Sequence, residues 1–561
     1  MIKSIKLNPF VISILSIIIG LLAYSVGVPF LDLVELKTID LRFHARGKIS
    51  PRPEVVLAVI DNKSVVKEGK WVWPRSKIAD LVNKLSKAGA KVIAFDIVFA
   101  EPDGKIVVQT IDKIKREINN LKIQNRKIEK YLEDLKLQAD NDKLLADAIK
   151  NSRAKVVLGY FFEMEAKDIE HISKEELRIH EVNSKGSMYK FVRYESSAAQ
   201  NVALMEAAAP QSNIKQIADV TEFAGFFSMT PDPDGVFRWI PGIYRFRDKL
   251  YAPLSLNTVS AYLDTPLSVN VADYGIESIK IGRIYIPTDE LGRVLINYRG
   301  KAKTFPHISV TDILNDSVGD NVLKDKIVLV GATAFGIYDL RVTPFSSVFP
   351  GLEIHANVVD SVLSKDFLRQ PGWSTLFDFM AIVISGSILG LVIPRFGAAL
   401  GASVSASVFI GYILLCQYFF SNKGLILNLM YPTSVMILIY VGITMYKYIV
   451  ESSQKRFIKD AFSTYLAPSV VKQIIDSPEK LALGGEQRDI TAFFSDIQGF
   501  TSISEKLTPP ELVELLNQFL TEMTDIILNF EGTVDKFEGD AIIALFGAPN
   551  YLENHAATAV I

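Results

Sequence analysis

FFSDIQGFTSISE (493–505) and VDKFEGDAIIALFGAP (534–549) decide how the C-terminal part of this chain folds. Each reads as an apolar strand that ends on, or turns at, a carboxylate. Asp496 follows the short buried-strand run TAFFS (491–495). Asp540 follows Gly539 in an FEGD turn (537–540), and AIIALF (541–546) returns as the next strand. If the strands are neighbours in one sheet, the turn sets Asp540 beside Asp496. Two hard oxygen ligands at one point hold Mg²⁺ or Mn²⁺ against a nucleoside triphosphate. Either aspartate alone is an ordinary cap or turn former, and Gly539-Asp540 alone is an ordinary hairpin signal. The pair, 44 residues apart, points to phosphoryl transfer.

With Gly499, Phe500, Thr501 and Lys536 around these aspartates, residues 489–559 resemble the class III nucleotide cyclases, which make cyclic AMP or cyclic GMP. The resemblance implies an α+β, ferredoxin-like (palm-type) catalytic domain over 489–561. It implies that Asp496 and Asp540 are catalytic by binding two Mg²⁺ or Mn²⁺ ions per active site, with the Ile497 carbonyl as a further metal ligand. Backbone N–H groups at Gly499, Phe500 and Thr501 then contact the substrate phosphates, where a glycine suits a close approach to an anion. The family's purine-contacting position is Lys536, a lysine in adenylate cyclases and a glutamate in most guanylate cyclases. An ammonium donates to the adenine N1 acceptor but meets a proton on guanine N1, so ATP is the expected substrate. The family works as dimers that share each active site, which implies a homodimer. The ribose 3′-hydroxyl attacks the α-phosphorus in line and pyrophosphate leaves. The family's second purine contact, and its transition-state Asn and Arg, have no counterpart before Ile561. The catalytic domain is therefore expected to be truncated, and the chain as given inactive although the complete product is active. GGEQ (484–487) looks like the diguanylate-cyclase signature, but it lacks the final aromatic and precedes the first strand.

The rest of the chain is of a different composition. Net charge is −2 and the sequence pI about 6.4, so no basic field points to nucleic acid. The single cysteine, Cys416, excludes an intrachain disulfide framework, and six histidines without paired spacing exclude a zinc-type site. A mean hydropathy of +0.22 beside 22% charged residues means that apolar residues are concentrated. After a short N-terminus (1–8), they fall in four expected spans, 9–31, 373–394, 396–420 and 425–446. Residues 7–31 carry no charge, longer than a usual signal-peptide core, which favours a retained anchor. Pro432 is expected to kink the fourth span. Lys3 and Lys6 precede the first span, Arg395 sits between the second and third, and Lys447, Lys455, Arg456 and Lys459 follow the fourth. Only Lys423 lies in the third-to-fourth turn. The positive-inside rule therefore puts both flanks in the cytoplasm and residues 32–371 outside. That is the inner membrane of a bacterium, with cytosolic ATP available to the catalytic part.

Residues 32–371 alternate strand-like and helix-like stretches, an α/β pattern. VVLAVID (55–61), KVIAFDIVF (91–99), KVVLGYFF (155–162) and KIVLVG (326–331) read as buried parallel strands, with helices near 76–88 and over 351–363. GFFSMTPDPDGVFRWIPGIY (225–244) reads as a hairpin turning at 233–235. AVIDNKS, WPR (73–75), IAFDIVF, PDPDGVFR, KIVLVGATAFGIYDLRVTP and PGLEIHANVVD, in that order, resemble the type-two CHASE sensor domain, an extracytoplasmic module joined to cyclases and kinases. The resemblance brings no ligand, so the external ligand or partner is unknown. Asp61, Asp96 and Asp339 lie at strand ends or in following loops, which serve binding groups and caps alike. Within a helical insertion at about 105–140, Ile111, Ile114, Ile118, Leu121, Ile128, Leu132 and Leu135 keep a heptad register with Asn125 at an a position. This is either a dimerising coil or one amphipathic helix packed on its own domain.

Residues 447–488 connect membrane to catalysis. Residues 447–459 continue the fourth span as a helix. FIKDAFSTYL (457–466), with Phe457, Phe462 and Tyr465, resembles the coupling segment that precedes membrane-cyclase catalytic domains, followed by a short helix at 468–475. The whole reads as a receptor-type adenylate cyclase. The alternatives are a catalytically inactive receptor that uses a cyclase-like module to dimerise, and a guanylate cyclase.

Overall fold

The computed structural model describes residues 8–103, 105–121, 125–319, 321–334, 336, 340–462 and 487–561. Among the sequence expectations, Lys3, Lys6, Asp339, Tyr465 and the helix at 468–475 lie outside the described residues. The chain divides into two compact units, Ser16–Ile388 with Ser403–Met436, and Met1–Leu15 with Leu389–Ala402 and Ile437–Ile561.

The first apolar helix, α1 (Pro9–Val26), is shorter than the stretch 9–31. Gly27 takes φ +77°, and Pro29 occupies the first turn of a new helix, α2 (Pro29–Arg46), where its missing N–H costs nothing. The α/β core that follows is built on a parallel sheet of β1 (Val55–Ile60), β2 (Val92–Phe95), β3 (Lys155–Glu163), β5 (Phe223–Phe226), β6 (His307–Ser309) and β7 (Ile327–Ala332). Strand order is β6-β1-β7-β2-β3-β5, and the short β4 (Ala209–Gln211) pairs antiparallel with the end of β3. Both faces of the sheet are covered, which explains why its strands are continuous apolar runs. Val56, Ala58 and Ile60 pack with Ile78, Leu81, Val82 and Leu85 of α3 (Arg75–Lys87). Val55, Leu57 and Val59 pack with residues from 254–263 and with Leu352, Ile354 and Val358.

Two sequence expectations differ from the structure here. The heptad stretch is not one helix: α4 (Lys105–Asn120) and α5 (Arg126–Ala139) are separate, and the Asn125 side chain caps α5 by accepting from Lys127 N and Ile128 N. Lys115–Glu133 at 2.9 Å and Lys136–Asp112 at 2.7 Å link the two helices, so the apolar stripe folds back on its own chain. Nor is 225–244 a hairpin. Its first limb, β5, pairs with β3, while Trp239–Pro241 pairs antiparallel with Arg293–Leu295. The intervening PDPDG loop wraps the buried Arg238 guanidinium, which donates to Asp232, Asp234 and, from α2, Asp40 at 2.7–2.9 Å. The turn is there; an ion cluster, not a ladder, sets its course.

The polar residues of PGLEIHANVVD sit on α6 (Gly351–Ser364) and face inward. Buried Glu353 accepts from the N–H groups of Lys303 and Thr304 at 2.9 Å. Asn357 and Asp360 hold Arg299 at 2.7 and 2.6 Å. Three further apolar helices follow: α7 (Ser374–Val392), α8 (Ala398–Lys423) and α9 (Met430–Phe462). With α1 they make four helices, among the described residues, long and apolar enough to cross a membrane, at Pro9–Val26, Ser374–Arg395, Ala399–Lys423 and Met430–Val450. A Cβ on Gly20 would lie 2.1 Å from Val435 and one on Gly390 2.4 Å from Ser13, so small residues set the close approach of these helices. Pro432 is the third residue of α9, in the turn whose N–H groups have no intrahelical acceptor. It therefore starts the helix and does not kink it.

A separate three-stranded sheet near the C-terminus holds β8 (Thr491–Ser495), β9 (Thr533–Glu538) and β10 (Ala541–Phe546) in the order β8-β10-β9, all antiparallel. Val534, Ile542, Ala544 and Phe546 bury against Ile527 and neighbours of α11 (Pro509–Asn529), which follows the short α10 (Phe500–Ser504). The reciprocal Thr508–Glu511 capping box starts α11.

Among the buried groups of the α/β domain left without hydrogen bonds is an imidazole. His355 on α6 is fully buried and neither ring nitrogen has a partner. Burial, with Arg341 nearby, pushes the imidazole from 6.5 down to about 3. The unfolded chain therefore binds a proton that the folded one refuses, and stability present above pH 6.5 is lost as pH falls toward 3. The His355→Leu variant is expected to show a shallower loss of thermal stability between pH 6.5 and 4 than the wild type, read by melting of the purified protein at fixed ionic strength. Parallel curves for the two proteins contradict this account of His355.

Candidate active site

Register builds the site. β8 and β10 pair from Thr491↔Phe546 to Ser495↔Ile542, and Glu538↔Ala541 closes the β9–β10 hairpin with Gly539 and Asp540 as its two-residue loop. Gly539 takes φ +68° at the first loop position, the type II′ arrangement that matches strand twist. Asp496 is the first residue past β8 and Asp540 the last before β10, so both carboxylates leave the sheet at one edge. The Ile497 N–H donates to Asp540 Oδ2 at 3.2 Å, which holds the second carboxylate against the backbone of the first. Asp496 is exposed and Asp540 half-buried.

The segment after Asp496 turns at once. Gly499 takes φ +74° and caps α10. The Phe500 N–H closes the turn onto the Ile497 carbonyl at 3.1 Å, so one of the three N–H groups expected at a phosphate is already engaged. The Ile497 carbonyl keeps its second lone pair. Two carboxylates and a carbonyl form an oxygen set suited to Mg²⁺ or Mn²⁺. Among the described residues no group of three or more His, Cys, Asp or Glu side chains is placed to hold a metal.

Lys536 lies on β9 opposite Ile543, and Ile543 faces Phe494 on β8, two residues before Asp496. A register shift between Val534 and Lys536 marks a bulge, which re-aims side chains on an edge strand. Lys536 is exposed and pairs with Glu538 at 3.1 Å. An exposed pair of this kind contributes about 0–1 kcal/mol and yields readily to a ligand. Glu538 was not singled out in the sequence, although the two-residue spacing on one strand face places it beside Lys536.

The other sequence candidates lie elsewhere. Asp61 caps the helix Asn62–Glu68, its Oδ1 accepting from Ser64 N, Ser64 Oγ and Ser309 Oγ at 2.7–2.8 Å. It is thereby committed to structure. Asp96 directly follows β2 at the same end of the sheet, its N–H bonded to the Val330 carbonyl. In the coupling segment Phe457 is 75% exposed and Phe462 is the last residue of α9.

The CHASE2 domain family matches residues 13–392, and the adenylate and guanylate cyclase catalytic domain family matches residues 485–561. An uncharacterized protein of Mycobacterium tuberculosis is 35% identical over 99 residues, 18% of each chain. Adenylate cyclase 1 of Rhizobium meliloti is 31% identical over 95 residues, 17% of this chain and 14% of that one. The chain thus spans less than a fifth of the length of these relatives. Among solved structures, a guanylyl cyclase is 47% identical over 14% of this chain and 40% of its own, with a TM-score of 0.14. The adenylyl cyclase CyaB from P. aeruginosa is 46% identical over 13% and 37%, with a TM-score of 0.13.

Proposed function

Because the chain belongs to the CHASE2 family and carries a class III cyclase module, we propose that it is a transmembrane adenylate cyclase converting ATP to cyclic AMP and pyrophosphate under the control of its outer domain. The observation that carries this reading is the Ile497–Asp540 hydrogen bond, which sets the two carboxylates at one sheet edge. Asp496, the Ile497 carbonyl and Asp540 are the ligands for Mg²⁺ or Mn²⁺; bound there, the ions offset phosphate charge and acidify the ribose 3′-hydroxyl. The protein's own groups do the positioning. The two carboxylates would hold the ions, the N–H groups of Gly499 and Thr501 are the donors for phosphate oxygens, and Lys536 donates to adenine N1. Each site is completed across a homodimer, as in the family. The likeness to the rhizobial adenylate cyclase supports ATP. One observation favours GTP as a second reading: Glu538, beside Lys536, offers a carboxylate that accepts from guanine N1–H and its 2-amino group.

Base choice is tested by turnover of ATP and GTP in the full-length protein and its Lys536→Glu variant. Loss of one charged hydrogen bond, roughly 1.5–3 kcal/mol, is expected to cut ATP turnover about ten- to a hundredfold. Equal ATP rates would make Lys536 a surface residue of the hairpin and remove the local support for adenine.

Topology follows from the lysines and arginines at the helix ends. Lys447 donates to the carbonyls of Ile393 and Phe396 at 2.8 Å, so this cation and the Arg395 turn share one end of the helical segments. We assign that end to the cytoplasm. Reporter fusions after Lys459 are expected to score as cytoplasmic and fusions near Asp140 as external; a cytoplasmic score at Asp140 overturns the direction of signalling.

A further inference from the structure

A cavity of about 550 Å³ opens between the floor of the α/β domain and the end of α8, inside one compact unit. Its lining is unbalanced in charge. Arg46, Arg283, Lys365, Arg369 and Lys423 all border it, and Asp366 is its only acidic residue. Asp366 is already spent on Arg299, a guanidinium buried behind it. Among the described residues, Arg283, Lys365, Arg369 and Lys423 make no side-chain ion pair. Arg46 is better fixed: it donates to Asn297 at 2.6 Å and to the Tyr298 carbonyl, and it lies over the Phe43 and Phe420 rings at 5.0 and 5.5 Å. Its Nε is nevertheless buried without a partner. Burial, with Arg299 nearby, pushes the Arg46 guanidinium down to about 10, the sign of a cation short of counter-charge.

Place says what supplies that charge. Phe420 to Gly424 form the end of a helix apolar enough to cross a membrane and the turn that follows it. On the topology proposed above, this is where the outer leaflet's headgroups lie. Apolar Ile49, Ile284, Phe367 and Leu368 share the lining, so the cavity offers both cationic and apolar groups. We propose that this cleft binds the phosphate of a membrane-lipid headgroup, with Arg283, Lys365 and Arg369 as the principal contacts and Arg46 as the fixed guanidinium behind them. Arginine suits this task because its planar donor fork matches phosphate oxygens. The neighbouring cavity shares Tyr285 and Arg369 but adds Glu277 and Glu290, with Asp289 paired to Arg293, so it suits an anion less than the Arg46 side.

The test is a titration of the purified full-length protein in uncharged detergent with phosphatidylglycerol, diacylglycerol or inorganic phosphate. Retained adducts are read by native mass spectrometry and stabilisation by thermal unfolding. Phosphatidylglycerol is expected to bind and stabilise, diacylglycerol to do neither. The Arg283→Gln/Lys365→Gln/Arg369→Gln variant is expected to bind phosphatidylglycerol at least tenfold more weakly, and Arg283→Gln alone to weaken it in the same direction should the triple variant fold poorly. Competition by inorganic phosphate supports the phosphate site, and stabilisation by inorganic phosphate equal to that by phosphatidylglycerol overturns the lipid as its source. Equal phosphatidylglycerol binding by wild type and Arg283→Gln, or equal binding of diacylglycerol, overturns the proposal. Binding in detergent does not depend on which side the cleft faces, so an error in topology shows in the reporter fusions and not here.

Discussion

The carboxylate of Glu35 ties the α/β domain to the helices that lead away from it. It sits on α2, one turn beyond the Pro29 start, and accepts from Arg42 at 2.6 Å and from the N–H groups of Leu429 and Met430 at 2.8 Å. A carboxylate at the start of α9 satisfies donors that no intrahelical acceptor reaches and complements the helix dipole. Arg42 in turn donates to the Leu427 carbonyl. Asp32 receives the Tyr431 hydroxyl, and Asp378 receives Tyr24 and Asn428 N. Removing one partner of such a buried pair costs about 3–5 kcal/mol, because the other charge is left without compensation. The start of α9 is therefore tied to α2, and α9 continues without a break to Phe462. Two hydrogen bonds to the Glu35 carboxylate, from Leu429 N and Met430 N, make that tie, and Arg42 adds one to the Leu427 carbonyl.

The catalytic half depends on register in the same way. Ser495 opposite Ile542 and Glu538 opposite Ala541 bring two residues 44 positions apart to one edge. A slip of one residue turns every strand side chain to the other face and separates them. The packing of Val534, Ile542, Ala544 and Phe546 on α11 prevents that slip, so the apolar core of this small sheet positions the carboxylates although it touches no substrate.

What the sequence made legible follows from how far each feature reaches. VVLAVI, VIAF and KIVLVG were readable as parallel strands because a sheet covered on both faces needs apolar residues at every position. The turn at Asp540 was readable because a strand, a two-residue turn and a strand are local signals, whereas its place beside Asp496, 44 residues away, depends on the pairing of β8 with β10. Most misreadings came from long-range or polar partners. PDPDG looked like a hairpin turn, but Arg238 and Asp40, distant in sequence or outside the loop, decide where its limbs go. Asn125 looked like a core residue of a coil until its side chain proved to cap a second helix. Pro432 looked like a kink because the first residue of its helix was placed too early. Glu538 was overlooked because one ion pair on an exposed strand leaves no trace in an apolar pattern.

The central claim is that Asp496 and Asp540 hold the metal ions of a nucleotide cyclase. It is tested most directly by the Mn²⁺-dependent production of cyclic nucleotide by the full-length protein and its Asp496→Ala and Asp540→Ala variants, expressed to equal levels. Removing groups that stabilise transition-state charge typically costs about 10²-fold or more, and each variant is predicted to lose at least that much. Retention of more than about a tenth of wild-type turnover by either, on the same scale, would contradict the assignment.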